Sequence, residues 1–125
     1  MVAPGIRAGE MGKHLGPCAL VPSKDGKILY VANADAKQVS FVDIDSGEST
    51  RSISMPGEPT GLTLSADGRE LYVTCAATRS SVLVIDVASG KIKADIPVGH
   101  TACGPTVTPD GKRLYVCNRF DNDVS

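Results

Sequence analysis

Tryptophan is absent and only 4% of the residues are aromatic, which removes the material for an aromatic cage or a base-stacking platform. An excess of one charge is missing too. Lys and Arg number 13 against 14 Asp and Glu, for a net charge of -1. A nucleic-acid binder carries a basic stripe, so no nucleic-acid partner is expected. No apolar run approaches the ~18 residues of a membrane span, and none is expected. Met1 to Glu10 holds one Arg and no apolar segment, which does not read as a signal peptide. The four cysteines, Cys18, Cys75, Cys103 and Cys117, form neither C-x-x-C nor C-x-x-C-H. Covalent haem attachment and a zinc knuckle are therefore unsupported. G-x-S-x-G, H-E-x-x-H and a phosphate-binding glycine loop are also lacking. No catalytic residue and no cofactor is indicated by motif.

What remains is an ordinary globular balance, 42% apolar and 22% charged over 125 residues, enough for one compact domain. Within it the chain repeats itself. Asp25-Gly26, Asp67-Gly68 and Asp110-Gly111 are spaced by 42 and 43 residues. Each is followed by Leu-Tyr-Val, at Leu29 to Val31, Leu71 to Val73 and Leu114 to Val116. Val42-Asp43-Ile44 through Gly47 returns as Ile85-Asp86-Val87 through Gly90, and Ile53 as Ile96. All three tyrosines, Tyr30, Tyr72 and Tyr115, fall at one repeat position.

Each unit reads as four short strands joined by tight turns. Cys18–Ser23, Ile28–Asn33, Val39–Ile44 and Thr50–Met55 are the strands of the first unit. Thr60–Ser65, Glu70–Cys75, Val82–Val87 and Lys91–Val98 are those of the second. The Asp-Gly and Ser-Gly pairs supply hairpin turns, where glycine takes a positive φ at little cost. Third strands such as Val82-Leu83-Val84-Ile85 are apolar on both faces, so the sheets are expected to be covered on both sides. A four-stranded antiparallel unit of about 42 residues, covered on both faces, is a propeller blade.

Leu29-Tyr30-Val31-Ala32-Asn33, Val42-Asp43-Ile44 with Gly47, Asp67-Gly68 and Ile96-Pro97-Val98-Gly99 resemble the YVTN-type β-propeller repeat. Pro109 to Val116 is similar to its opening hairpin. The resemblance covers residues 16–125 and is carried by scaffold positions, so it speaks for fold before function. It implies an all-β chain of antiparallel propeller blades, with a periplasmic or extracellular location in bacteria or archaea. The expected division is an N-terminal segment, 1–15, poorly structured or a partial strand, then blade 1 over 16–57, blade 2 over 58–99 and an incomplete blade 3 over 100–125. Propellers close with about 4–8 blades, and four such units need about 168 residues. The ring is therefore expected to be incomplete. The chain reads as a fragment of a larger propeller, or as a protein whose copies assemble one. Its partners are then the remaining blades or another copy of the chain.

Loops carry the candidate functional residues. Asp43 and Asp86 precede glycine turns and are assigned to holding those turns. The tyrosines are assigned to filling the space between blades. In an up-and-down blade, the loops before first strands share one face with the loops between second and third strands. That face collects His14, Glu58 and His100, with Arg79 and Arg119 farther out beside Lys37 and Asp121. His14 and His100 offer a weak alternative as metal ligands, although a whole blade separates them. Cys18 and Cys103 begin first strands two blades apart, too far for a disulfide. Cys75 and Cys117 fall at adjacent positions of equivalent strands, and alternation allows them to meet between units two and three. Free thiols, behaving as small hydrophobes, are nevertheless expected throughout.

The resulting expectation is a non-catalytic binding or scaffold module that engages a protein or polysaccharide. The resemblance implies two alternatives. One is part of a lactone hydrolase like the 6-phosphogluconolactonases, with His14, Glu58 and His100 at the channel mouth. The other is part of a haem- or copper-bearing respiratory propeller, with the loop histidines as ligands.

Overall fold

The computed structural model of the chain describes Gly5 and residues 14–125; the expected character of segment 1–15 falls largely outside them. Four strands, β1 (Pro17–Pro22), β2 (Ile28–Asn33), β3 (Gln38–Asp43) and β4 (Ser49–Ser54), form a first sheet in chain order. A second sheet repeats the arrangement with β5 (Glu58–Leu64), β6 (Glu70–Ala76), β7 (Ser81–Asp86) and β8 (Ile92–Pro97). The third has β9 (Ala102–Val107), β10 (Leu114–Asn118) and β11 (Asp123–Val124). Every strand pairing among the described residues is antiparallel. These are propeller blades, and the sheets do not close into a ring. Compared with the sequence-based expectation, β1, β3, β4, β5 and β7 begin and end one or two residues earlier, and β8 is shorter by one residue at each end.

The turns explain themselves locally. Gly26, Gly68 and Gly111 have φ of 71°, 76° and 71°, where a side chain would be strained. In the first turn, Ser23 donates its hydroxyl to Asp25 Oδ1 at 2.6 Å, and the Lys27 amide donates to the same oxygen at 3.0 Å. Ser65 and Arg69 hold Asp67 in the same way, as Thr108 and Lys112 hold Asp110. At the other hairpins the Ser46 amide donates to Asp43 and the Ser89 amide to Asp86, both at 2.8 Å. Donors from hydroxyls and amides hold all five carboxyls below the usual aspartate range.

Packing runs from sheet to sheet. Tyr30, Ala32 and Phe41 of the first sheet bury against Leu71, Val73, Cys75, Leu83 and Ile85 of the second. Tyr30 and Phe41 meet edge to face, with ring centroids 4.8 Å apart. Between the second and third sheets lie Val82, Ala102 and Val116, with Tyr72, Val98 and Leu114 against them. Strand alternation thus sends Leu71, Val73 and Cys75 towards sheet one, and Tyr72 towards sheet three. The tyrosines grade with their neighbours. Tyr30 is 3% exposed, while Tyr115, which faces no further sheet among the described residues, is 41% exposed.

The same alternation corrects one expectation. Cys75 lies in the cluster between sheets one and two. Val116 packs inward against sheet two, so its neighbour Cys117 points away from that sheet and is exposed. Cys75 and Cys117 therefore do not meet between units two and three. All four cysteines are free thiols.

A β-bulge recurs where each first strand begins, and it ties one sheet to the next. The register slips between Pro17 and Ala19, between Pro59 and Gly61, and opposite the Tyr115 to Cys117 step. Cys18, Thr60 and Cys103 are repeat equivalents there. The Cys18 thiol donates to the Pro59 carbonyl at 3.2 Å, and the Thr60 hydroxyl donates to the Ala102 carbonyl at 2.6 Å. Pro59 and Ala102 are repeat equivalents at the start of the following first strands. The Ala102 amide in turn donates to Ser80 Oγ at 2.9 Å, so both backbone groups of this fully buried residue are held by side chains of the preceding blade.

Candidate functional site

Two ends of the blades can be compared. At the hairpin end, Lys24 of the first Asp-Gly turn lies beside Gly68 of the second, and Ala66 of the second beside Gly111 of the third. These turns repeat one another. At the opposite end the loops before first strands run against the loops that follow second strands. The Ala34 and Ala36 amides donate to the Gly16 and Leu15 carbonyls at 2.7 and 3.1 Å. The Thr101 amide donates to Ala77 O at 2.9 Å, linking the loops of blades two and three.

The third blade builds the most elaborate of these loops, because it has one residue more between Gly99 and Ala102 than the second has between Gly57 and the repeat-equivalent Pro59. Thr101 takes a positive φ of 53° to absorb the extra residue. The His100 amide donates to Asp121 Oδ2 at 2.7 Å, and the Gly99 amide to Asn118 Oδ1 at 2.9 Å. Gly99 is required: a Cβ there would stand 2.5 Å from both Asn118 Cγ and Asp121 Oδ2. On this frame the His100 ring meets Phe120 edge to face at 5.1 Å, and the Arg119 guanidinium sits 5.5 Å from the centre of the Phe120 ring. Phe120 is 62% exposed.

A three-bladed repeat with this turn chemistry and this loop arrangement has known relatives. Residues 8–121 match the YNCE-like beta-propeller family. The chain belongs to that family. No curated protein matches the YNCE-like chain in a sequence comparison. Among solved structures, it is similar to a Bacteroides fragilis protein provisionally assigned as a 6-phosphogluconolactonase, with TM-score 0.80 and 23% identity over 89% of this chain and 34% of that one. A Bacteroides uniformis protein with the same provisional assignment gives 0.78 and 22%, over 96% of this chain and 38% of the other. U3-55K gives 0.74 and 17%, over 91% and 39%. The YNCE-like chain spans little more than a third of the length of these structures. At such identities the likeness is one of fold.

Within the YNCE-like blades, the sequence-derived site residues are placed as follows. His14 donates to or accepts from no second histidine; its Nδ1 pairs with Asp35 Oδ2 at 2.7 Å, with 87% of the His14 side chain exposed. Glu58 is the first residue of β5, opposite Ala76, and is exposed. His100 and Arg119 are brought together through Phe120. Arg79 is exposed in the loop between β6 and β7. His14, Glu58 and His100 do not gather into one set, and among the described residues no group of three or more His, Cys, Asp or Glu could hold a metal ion. Each histidine is engaged within its own blade.

Sequence reasoning missed Asp35 and Phe120. Asp35 was legible in principle: once Pro17 pairs with Asn33, residues just before one strand face those just after the other. Phe120 carried no such signal, since its exposure depends on how the extra loop residue is absorbed.

Proposed function

We propose that this chain is a non-catalytic binding module of an extracytoplasmic propeller, and that its ligand face is the loop end. His14, Glu58, Arg79, His100 and Arg119 line that face, joined by Phe120. The observation that carries the reading is the contrast between the ends. The Asp-Gly turns repeat with their carboxylates committed to the hairpins, while each loop at the other end offers different exposed side chains. Variation of loops on a constant scaffold is how repeat folds diversify recognition. A protein or a polysaccharide suits an open face of cations and one aromatic ring. Periplasmic or cell-surface location follows from the YVTN-type resemblance. The exposed outer face of the third sheet, with Tyr115 41% and Val124 61% exposed, takes the remaining blades or another copy of the chain.

The test is binding of the purified chain to immobilised polysaccharides and extracytoplasmic proteins. Arg119→Ala with Phe120→Ala is expected to weaken binding roughly tenfold or more, about 1.4 kcal/mol. Altering Lys24, Lys27 and Lys112 at the hairpin end is expected to leave it unchanged. Loss that follows the hairpin lysines instead would refute the reading.

A second reading, part of a lactone hydrolase, is favoured by the provisional assignment of two structural neighbours. It requires 6-phosphogluconolactone to be opened faster than it opens spontaneously, with the excess rate lost when His14 and His100 become Ala.

A further inference from the structure

Cys103 and Cys117 stand directly opposite each other across β9 and β10. Neither thiol has been assigned a role above. Opposed residues in an antiparallel pair have Cα atoms about 4.5 or 5.5 Å apart, and both values lie within the ~4.4–6.8 Å that a disulfide spans. Opposed residues also share one face of the sheet. That face is the outer one, where Cys117 is exposed and Cys103 half-buried. In blade two the repeat-equivalent pair is Thr60 and Thr74, and their Oγ1 atoms approach to 3.1 Å. The same two positions therefore bring side-chain heteroatoms into contact where the chain shows it with oxygen.

We propose that Cys103 and Cys117, as long as no further blade or second copy covers the outer face, form a redox-active dithiol, which a small-molecule disulfide of the glutathione type converts to an intrasheet disulfide. The exposed Cys117 thiolate attacks one sulfur of the small disulfide, forming a mixed disulfide and expelling one thiolate. The Cys103 thiolate then attacks the Cys117 sulfur and expels the second. Two protein thiols are oxidised to one disulfide, the small disulfide is reduced to two thiols, and these carry away the two protons. The consequence falls on the seam between blades. Cys18 and Thr60 each use their donor hydrogen to reach a carbonyl of the following blade, and oxidation takes that hydrogen from Cys103. The reduced form keeps a donor on the outer face, and the oxidised form does not.

The experiment incubates the native chain with oxidised glutathione, alkylates the remaining thiols and digests with trypsin. Cleavage after Lys93, Lys112, Arg113 and Arg119 separates the two cysteines, so peptides 94–112 and 114–119 are expected to appear linked. Cys103→Ser is expected to leave glutathione on Cys117. Nearness in sequence alone would also favour this pair, so a register variant separates the causes. Tyr115→Cys with Cys117→Ser keeps an exposed thiol on the same face of β10, opposite Thr106 rather than Cys103. The diagonal distance of about 7–8 Å exceeds disulfide reach, and most of the linked product is expected to be lost. Equal linkage in both proteins would overturn the proposal. So would a stable glutathione adduct on Cys117 of the native chain, or chains linked to one another through Cys117.

Discussion

Replacing Thr60 by Val tests the seam between blades two and three with little change of shape. The hydroxyl has one hydrogen, and its shortest acceptor is the Ala102 carbonyl at 2.6 Å. The other oxygens nearby, Thr74 O and Thr74 Oγ1, lie at 3.2 and 3.1 Å. Ala102 is wholly buried, so its carbonyl has no water to turn to. A neutral hydrogen bond contributes about 0.5–1.5 kcal/mol net, and stranding a buried acceptor costs about 1–3 kcal/mol. Because Thr60 itself is only part-buried, the expected loss is about 1–2 kcal/mol. Urea unfolding should show it as a lower midpoint at unchanged slope, and heating as a Tm lower by roughly 3–8 °C. Thr60→Cys places the residue of positions 18 and 103 at this bulge, and it should keep most of the stability, since Cys18 already makes the equivalent bond at 3.2 Å. A Thr60→Val chain as stable as the parent, or a Thr60→Cys chain weaker than Thr60→Val, would refute the argument.

Three further outcomes are expected. Asp25, Asp43, Asp67, Asp86 and Asp110 titrate below their unfolded range in the folded chain, so their contribution is complete above about pH 4 and is lost as pH falls through the lower folded values. Urea midpoints measured down an acid series should fall there, and less so when these residues are replaced by Asn. Burial pushes the Cys75 thiol up to about 11, so alkylation near pH 8 should reach Cys117 first and Cys75 last, as mass spectrometry of partly labelled chains would show. Leu71 is 0% exposed between sheets one and two, and Leu71→Ala should cost about 2–5 kcal/mol in urea unfolding.

The blades were legible because each level of the sequence agrees with the next. Asp-Gly and Ser-Gly name the turns, Leu-Tyr-Val names the second strand, and the doubly apolar Val82 to Ile85 names a strand covered on both sides. Repetition multiplies these signals, since an accident at one unit is not an accident at three. What failed to be read is what the repeat does not average. Free thiols were expected, but the suggestion that Cys75 and Cys117 could face each other went wrong, because alternation gives opposite faces but not which neighbour each face meets. Only sheet order decides that: Cys75 looks back to the first blade, and Cys117 looks outward. The bulge residues were missed as a class because Cys18, Thr60 and Cys103 differ in chemistry while sharing a donor hydrogen. The His100 and Phe120 contact was hidden by the one inserted residue, which a strict 42-residue period treats as noise.

The two ends of the blades differ in what a ligand would have to displace. At the hairpin end each aspartate accepts a hydroxyl and an amide, or an amide alone, from its own turn. A partner that recruited those carboxylates would break the bonds that set the turn, and the loss would offset the gain. In the third blade's loop the polar framework is also internally satisfied, through Asn118 and Asp121 to the amides of Gly99 and His100. Its cations are different. Among the described residues the Arg119 guanidinium meets only the face of Phe120, and Arg79 makes no ion pair. Both side chains are exposed, so a ligand's acceptors can take the place of solvent there without opening the fold. Phe120 adds an exposed apolar surface held by its edge-to-face contact with His100, so that less ordering is left to be done on contact. Recognition at this end therefore exchanges solvent for ligand, whereas recognition at the other end exchanges structure for ligand.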